Sequence, residues 1–173
     1  RVAQLIGDGG FGAFCLTEAD AGSDAASLKT SYKEDENGYV IDGSKCFVTN
    51  GQYADVYIVF ATKDKKLGPK GISAFIVEKD REGVMIGAHE DKMGLRLSNT
   101  CDVAFQEVHV PKENLLGVEG KGFNIAMAGL DEGRLTMHVF QQESARLPLM
   151  KLLNTQKSVK HLVFPLSNTR LYR

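Results

Sequence analysis

The pattern of apolar and polar residues predicts a mainly β chain up to about residue 120. Near-continuous apolar runs lie at Val56–Ala61 and Ile72–Val77, and such runs, rich in Val, Ile and Phe, are typical of strands buried on both faces. In residues 103–110 the apolar positions alternate with a one-residue slip. That slip predicts a strand with a bend or bulge, which Pro111 ends.

Turn-forming dipeptides divide the region between residues 37 and 51. Asn37-Gly38, Asp42-Gly43 and Asn50-Gly51 supply residues that readily adopt the positive φ of tight hairpins. Between them we expect two short strands, Tyr39–Ile41 and Lys45–Val48. Short strands at close spacing predict a small barrel or sandwich.

The pattern changes after Gly120-Lys121-Gly122. Apolar residues then recur at helical spacing in residues 123–130, so we expect a helix to begin there. Asp131 and Arg134 are three residues apart and would share one face of that helix.

Composition excludes several function classes. The 173 residues are 43% hydrophobic and 25% charged, which is ordinary for a soluble globular domain. A net charge of −1 gives no argument for a nucleic-acid partner, and no apolar stretch is long enough for a membrane span. The cysteines are odd in number and distant in sequence, so we expect reduced thiols, no metal site and a reducing compartment.

Charge and glycine are distributed unevenly. Residues 137–173 carry six basic residues and one acid, whereas all 18 glycines lie at or before Gly133. This shift indicates a domain boundary or a tail of different origin.

Two segments carry the candidate chemistry. The first runs from Phe14 through Asp24, where a glycine-bearing turn exposes backbone N–H groups that suit an anionic or carbonyl-rich ligand. The alternative is a turn in which Ser23 and Asp24 only cap the backbone. The second segment is Lys45–Gly51, whose Phe47 on its own indicates an ordinary core aromatic residue.

Together these segments resemble the two flavin-contacting segments of the acyl-CoA dehydrogenase family. The resemblance continues through 91–100, 105–117 and 130–134, and covers about residues 11–135. It implies the family's central β domain at 14–118 and the start of its C-terminal helical domain at 119–136. Residues 1–13 would be the end of the N-terminal helical domain or its linker.

The resemblance implies FAD as the cofactor, bound by Phe14, Leu16, Thr17, Phe47, Val48 and Thr49. Leu16 and Thr17 would contact the pyrimidine side of the flavin. Phe47 takes the place where relatives often carry Trp and would shield the flavin from solvent and O₂. Thr49 matches the hydroxyl beside the hydride-accepting nitrogen.

The resemblance implies an acyl-CoA substrate, contacted by Ser23, Asp131 and Arg134. Ser23 matches a residue near the thioester, and the other two match residues that bind the CoA moiety. The alternative for Asp131 and Arg134 is an ion pair on a helix surface.

The family reaction removes an α-proton from an acyl-CoA and transfers the β-hydrogen as hydride to FAD, which needs a carboxylate base. In most members this Glu lies in the C-terminal helical domain. A minority carry it directly before the helix Arg, where this chain has Gly133. Glu132 is one residue away, about 100° around a helix, so we assign no catalytic residue to this chain.

The full-length parent would pass electrons to an electron-transfer flavoprotein and would usually be a tetramer, in a bacterial cytoplasm or a mitochondrial matrix. The pattern is most similar to the short-chain, butyryl-like members. One alternative is a related acyl-CoA oxidase or nitroalkane oxidase. Another is a non-catalytic fragment that binds no flavin by itself.

The tail at 137–173 suggests a shifted reading frame. Back-translated with degenerate codons and read one nucleotide out of step, Lys160–Leu171 together with the codon before it permits the string RKAFGFPIVKYPA. This string resembles the family's Arg-Lys-x-Phe-Gly segment, which contacts FAD across a subunit interface. Loss of one adenine near Thr136-Met137 would suffice, so we predict that the tail is frameshifted.

Overall fold

A computed structural model of the protein describes residues 2–158. Within that range the chain is mainly β, with a short helix before the strands and a long one after them. The elements are α1 (Val2–Gly7), β1 (Gly12–Cys15), β2 (Ser31–Glu34), β3 (Gly38–Thr49), β4 (Val56–Thr62), β5 (Ile72–Glu78), β6 (Val84–His89), β7 (Thr100–Pro111), β8 (Leu115–Leu116) and α2 (Gly122–Ser158). Short 3-10 turns lie at Ala25–Ser27, Lys65–Gly71 and Lys112–Asn114.

The strands join in one open mixed sheet with the order β6-β7-β3-β2-β4-β5-β8, and β1 pairs with β4 outside that path. The β1–β4 and β2–β4 pairs are parallel, and the others are antiparallel. β1 pairs with the first residues of β4, whereas β2 reaches β4 only at Thr62. The predicted mainly β class is confirmed.

The core centres on β4 and β5, as their apolar runs predict. Val59, Phe60 and Phe75 have no exposed surface. The Phe75 ring lies 4.8 Å from the ring of Tyr32 and 5.1 Å from that of Tyr39. These aromatic contacts join β2, β3 and β5 into one apolar cluster. Buried aromatic rings contribute strongly to core stability because each removes a large apolar area from water.

The prediction of two short strands in 39–48 was wrong. β3 runs without interruption from Gly38 to Thr49, and Asp42-Gly43 lies inside it. At this point the partner strand β7 bulges, and the Asp42 carboxylate accepts a hydrogen bond from the Glu107 N–H. Gly43 lets the chain pass Thr30, because a Cβ at Gly43 would lie 2.5 Å from the Thr30 hydroxyl oxygen.

Two bulges shape the β3–β7 pair. The predicted slip in 103–110 is confirmed as a bulge at Glu107, where φ is 49°. The second bulge is on β3 between Lys45 and Val48, and contains Phe47 with φ 56°. Bulges re-aim side chains and increase the local twist, so the second one sets the direction of Phe47.

α2 begins at Gly122, as predicted, and continues through Thr136 to Ser158. The chain divides into two compact units, Arg1–Ala128 and Gly129–Arg173. The 160–171 stretch of the predicted frameshift lies outside the described residues. Among the helices that the structure describes, none is both long and apolar enough to cross a membrane.

Candidate functional site

The two sequence segments lie side by side. After β1 the chain leaves the sheet, and the Thr17 carbonyl accepts a hydrogen bond of 2.9 Å from the Cys46 N–H on β3. Glu18 then pairs with Ala21 through two reciprocal backbone hydrogen bonds of 3.1 Å, which close the turn that follows. Leu16–Thr17 is thereby adjacent to the bulge that contains Phe47.

A buried ion pair joins the same two segments. Lys45 Nζ lies 2.7 Å from Glu18 Oε1, and the two side chains are 0% and 7% exposed. Lys45 also donates to the Leu16 carbonyl at 3.2 Å. The Glu18 carboxylate accepts from the N–H groups of Lys29 and Thr30, so its oxygens are well satisfied.

The surroundings of the pair keep Glu18 ionised. Burial by itself would raise the pKa of Glu18, but the charge and hydrogen bond of Lys45 and the Lys29 N–H bring it below the ordinary 4.5. Burial lowers the pKa of Lys45, and the Glu18 carboxylate opposes that shift. The two groups therefore depend on each other to remain charged in the interior.

Phe47 has an unusual backbone conformation and an open side chain. Its φ of 56° is in the left-handed region, which costs about 1–2 kcal/mol for a residue with a Cβ. Its side chain is 67% exposed, so core packing does not account for the aromatic residue. Strained, exposed aromatic residues of this kind are typical of ligand contacts.

The remaining predicted flavin residues divide into two groups. Phe14 and Thr49 are exposed, and the Phe14 ring packs on that of Phe60 at 4.9 Å. Leu16 and Val48 are buried, with 6% and 1% exposure. These two residues therefore offer a ligand only their backbone groups.

Thr17 offers free donors next to this surface. It is half-buried, and neither its N–H nor its hydroxyl has an acceptor among residues 2–158. Two such donors on a segment anchored by its carbonyl groups suit a ligand with carbonyl or ring-nitrogen acceptors.

Ser23 lies in the turn after this segment. It is exposed, whereas Asp24 makes the hydrogen bonds to Ser27 that hold the turn. The Asp24 carboxylate accepts from the Ser27 hydroxyl and makes no capping hydrogen bond to the backbone of the 3-10 turn. Ser23 keeps its hydroxyl exposed on the same turn.

Asp131 and Arg134 lie on α2, in the second compact unit. Their side chains form an ion pair of 3.6 Å and are about three-quarters exposed. Glu132 is exposed between them. A Cβ at Gly133 would meet no atom within 4 Å, so a larger side chain fits there.

Among residues 2–158, the cysteines and acidic groups are not grouped as metal ligands would be. Within the described part of the chain, no group of three or more His, Cys, Asp or Glu residues could hold a metal ion. The three cysteines are free thiols, as predicted. Burial raises the pKa of Cys15 to about 12, so that thiol stays protonated at neutral pH.

Sequence reasoning missed the roles of Lys45 and Glu18. Both residues stand inside the recognised segments, but neither was singled out. The available signal was a lysine directly before the most apolar part of a predicted strand, because a buried lysine almost always has a charged partner.

The charged pair predicts an acid-dependent loss of stability. The pKa of Glu18 is below 4.5 in the folded chain, so its ionisation stabilises the fold above that pH and the effect is lost as pH falls through the folded-state pKa. Glu18→Gln should cost about 3 kcal/mol at pH 7. The cost should shrink in acid, measured by urea unfolding from neutral to acidic pH.

The control is Glu36→Gln in the exposed turn between β2 and β3. A cost of Glu18→Gln that stays constant across the pH range would contradict the assignment.

The left-handed conformation of Phe47 predicts that Gly at this position gives a more stable fold than Ala, the reverse of the usual order in a strand. Ala is ordinarily more stable than Gly in a strand by about 0.5–1 kcal/mol. At residue 47 we expect Phe47→Gly to be more stable than Phe47→Ala by about 1 kcal/mol, because only Gly relieves the positive φ. Thermal and urea unfolding of the two variants check this. Equal stabilities would show that the bulge relaxes without cost.

Comparison with known proteins identifies the family of this chain. The family profile "Acyl-CoA dehydrogenase, middle domain" matches residues 13–108. The short-chain specific acyl-CoA dehydrogenase of Megasphaera elsdenii is 54% identical over 125 residues, which are 72% of this chain and 33% of that protein. This chain therefore spans about a third of the length of the curated relatives it matches.

Solved structures agree with the fold. Butyryl-CoA dehydrogenase from Megasphaera elsdenii is 50% identical with a TM-score of 0.74, over 77% of this chain and 35% of that one. A chain in the structure described as the electron-transferring flavoprotein of Acidaminococcus fermentans is 52% identical with a TM-score of 0.71, over 72% and 33%. The resemblance seen in the sequence is confirmed: this chain belongs to the acyl-CoA dehydrogenase family and carries its middle domain.

Proposed function

We propose that this chain supplies the flavin-ring surface and part of the acyl-CoA surface of an FAD-dependent acyl-CoA dehydrogenase. The observation that carries the proposal is the hydrogen bond between Thr17 and Cys46, which brings Leu16–Thr17 beside Phe47–Thr49. The reaction of the whole protein is α,β-dehydrogenation of an acyl-CoA. FAD, when bound, supplies the acceptor for the β-hydride.

The residues present fit a flavin. The unpartnered N–H and hydroxyl of Thr17 would donate to its pyrimidine edge and so stabilise negative charge that develops there. Phe47, with two-thirds of its surface open, would lie over the ring and exclude water and O₂. The exposed Thr49 would orient the ring through its hydroxyl, and Phe14, Leu16 and Val48 would complete the surface.

The acyl-CoA contacts are proposed for Ser23, Asp131 and Arg134. All three are exposed. A carboxylate accepts from pantetheine amides, and a guanidinium pairs with phosphate oxygens. The ion pair of Asp131 and Arg134 is too exposed to contribute much stability, so binding is the better explanation of both.

The partners of the intact parent are proposed from its relatives. An electron-transfer flavoprotein would accept the electrons, in keeping with the flavoprotein structure that contains a similar chain. Similarity to short-chain and butyryl-CoA dehydrogenases favours a short acyl chain. A tetramer, in a bacterial cytoplasm or a mitochondrial matrix, is the expected assembly. A related oxidase would carry the same middle domain and differ in its base and solvent shield.

The tail is proposed to be frameshifted. The exposed large apolar side chains of α2 after Arg134 occur on every side of the helix, whereas a packed helix gathers them on one face. They are Leu135, Met137, Val139, Phe140, Leu147, Leu149, Met150 and Leu152. Pro148 also lies inside the helix, where proline removes a hydrogen bond and clashes with the preceding turn.

The purified chain should be colourless and without dehydrogenase activity. It contains no assigned base, and Glu132 is exposed on α2. We expect no flavin absorbance after purification in the presence of FAD, and no turnover of butyryl-CoA with an artificial electron acceptor. Near-stoichiometric flavin, or any turnover above background, would refute this. An intact short-chain acyl-CoA dehydrogenase serves as the positive control.

The reading frame is tested at the nucleic-acid level. Sequencing the gene around the codons for Thr136 and Met137 should reveal a neighbouring frame that encodes the family's helical domain, including its Arg-Lys-x-Phe-Gly segment and its catalytic Glu. If only the frame of the observed tail is open, the frameshift is excluded. The middle-domain assignment stands on residues 13–108 in either case.

A further inference from the structure

We propose that Lys45 and Glu18 are positioning residues: their buried ion pair fixes the peptide group between Leu16 and Thr17 and thereby aims the Thr17 N–H at the ligand. The inference rests on the proposed function in taking a flavin as that ligand.

The first step is the burial of Lys45. Its side chain has no exposed surface, and a lysine is almost never fully buried without a partner. Replacing buried ion pairs with apolar residues is often neutral or stabilising, so such a pair is weak evidence for a role in stability. Its presence therefore calls for another explanation.

The second step is the set of contacts that the pair makes. Lys45 Nζ donates to the Leu16 carbonyl at 3.2 Å and to Glu18 Oε1 at 2.7 Å. Glu18 accepts from the Lys29 N–H at 2.6 Å and from the Thr30 N–H at 3.0 Å. One carboxylate and one ammonium group thus connect β3, the segment after β1 and the residues before β2.

The third step is the geometry of the peptide group. The Leu16 carbonyl and the Thr17 N–H belong to the same peptide unit, which is planar and trans, so they point in opposite directions. Holding the carbonyl toward Lys45 therefore turns the N–H away from Lys45. The next carbonyl, that of Thr17, is held by the Cys46 N–H at 2.9 Å, which fixes the other end of the residue.

The fourth step links the pair to the second segment. Lys45 and Cys46 directly precede Phe47, and the β3–β7 register resumes only at Val48. The residues that hold Leu16 and Thr17 thus also lead into the bulge. Both ligand-facing segments are set by one short stretch of β3.

The decisive variant is Lys45→Met, which keeps a side chain of similar length and removes its donors. The matched control is Lys33→Met on β2, where the lysine is exposed. The full chain is labelled for NMR without flavin, and the amide residual dipolar couplings of Thr17, Val59 and Phe75 are recorded. Each coupling reports the direction of one N–H bond. A general loss of stability would not change the direction of the Thr17 N–H alone.

We expect the Thr17 coupling to differ between Lys45→Met and the unsubstituted chain. The couplings of Val59 and Phe75 in the sheet should be the same in both. Amide exchange at Cys46 should accelerate about tenfold or more, because its acceptor on Thr17 is released. Lys33→Met should change neither quantity. An unchanged Thr17 coupling overturns the proposal.

A second variant covers failure of the first to fold. Lys45→Met combined with Glu18→Gln removes both charges and leaves an amide oxygen for the Lys29 and Thr30 N–H groups. Displacement of the Thr17 coupling in this folded double variant supports positioning. Unfolding of the double variant means that the pair is structural, and overturns the proposal. Because no flavin is present, these results do not depend on the proposed enzyme activity.

Discussion

The attachment of the segment after β1 to β3 is the constraint on which the candidate site depends. β1 contributes four residues to the sheet, and the chain that follows has no strand of its own to hold it. The Cys46 N–H and the Lys45 ammonium group bind consecutive carbonyls of that chain. This segment is thus held by its carbonyl groups, and the Thr17 N–H has no acceptor among residues 2–158.

The same strand shows how two bulges modify a regular sheet. β3 pairs with β7 along most of its length, and each strand has one bulge with a residue at positive φ. At the bulge in β7 the Glu107 N–H donates to the Asp42 carboxylate, and β3 continues past it without a break. The bulge at Phe47 turns an aromatic ring outward. One bulge therefore keeps β3 continuous, and the other exposes the side chain of Phe47.

Sequence patterns predicted the parts of the fold that depend on burial and local turns. The runs that became β4 and β5 and the start of α2 follow from local chemistry. A turn also forms at Asn37-Gly38, but neither residue has the expected positive φ, and the Asp35 carboxylate holds the turn by accepting from both N–H groups. The continuity of β3 through Asp42-Gly43 does not follow from local chemistry, because it depends on a bulge in the partner strand. The resemblance indicated both candidate segments, whereas the pairing of Lys45 with Glu18, 27 residues apart, is visible only in three dimensions.

The conformation of Phe47 also limits what the fold itself gains from an aromatic residue at this point. A residue at φ 56° is in a region that Gly and Asn adopt at less cost. The ring recovers little of that cost through burial, because its side chain is 67% exposed. The packing of the described residues therefore gives Phe no energetic advantage over Gly at residue 47.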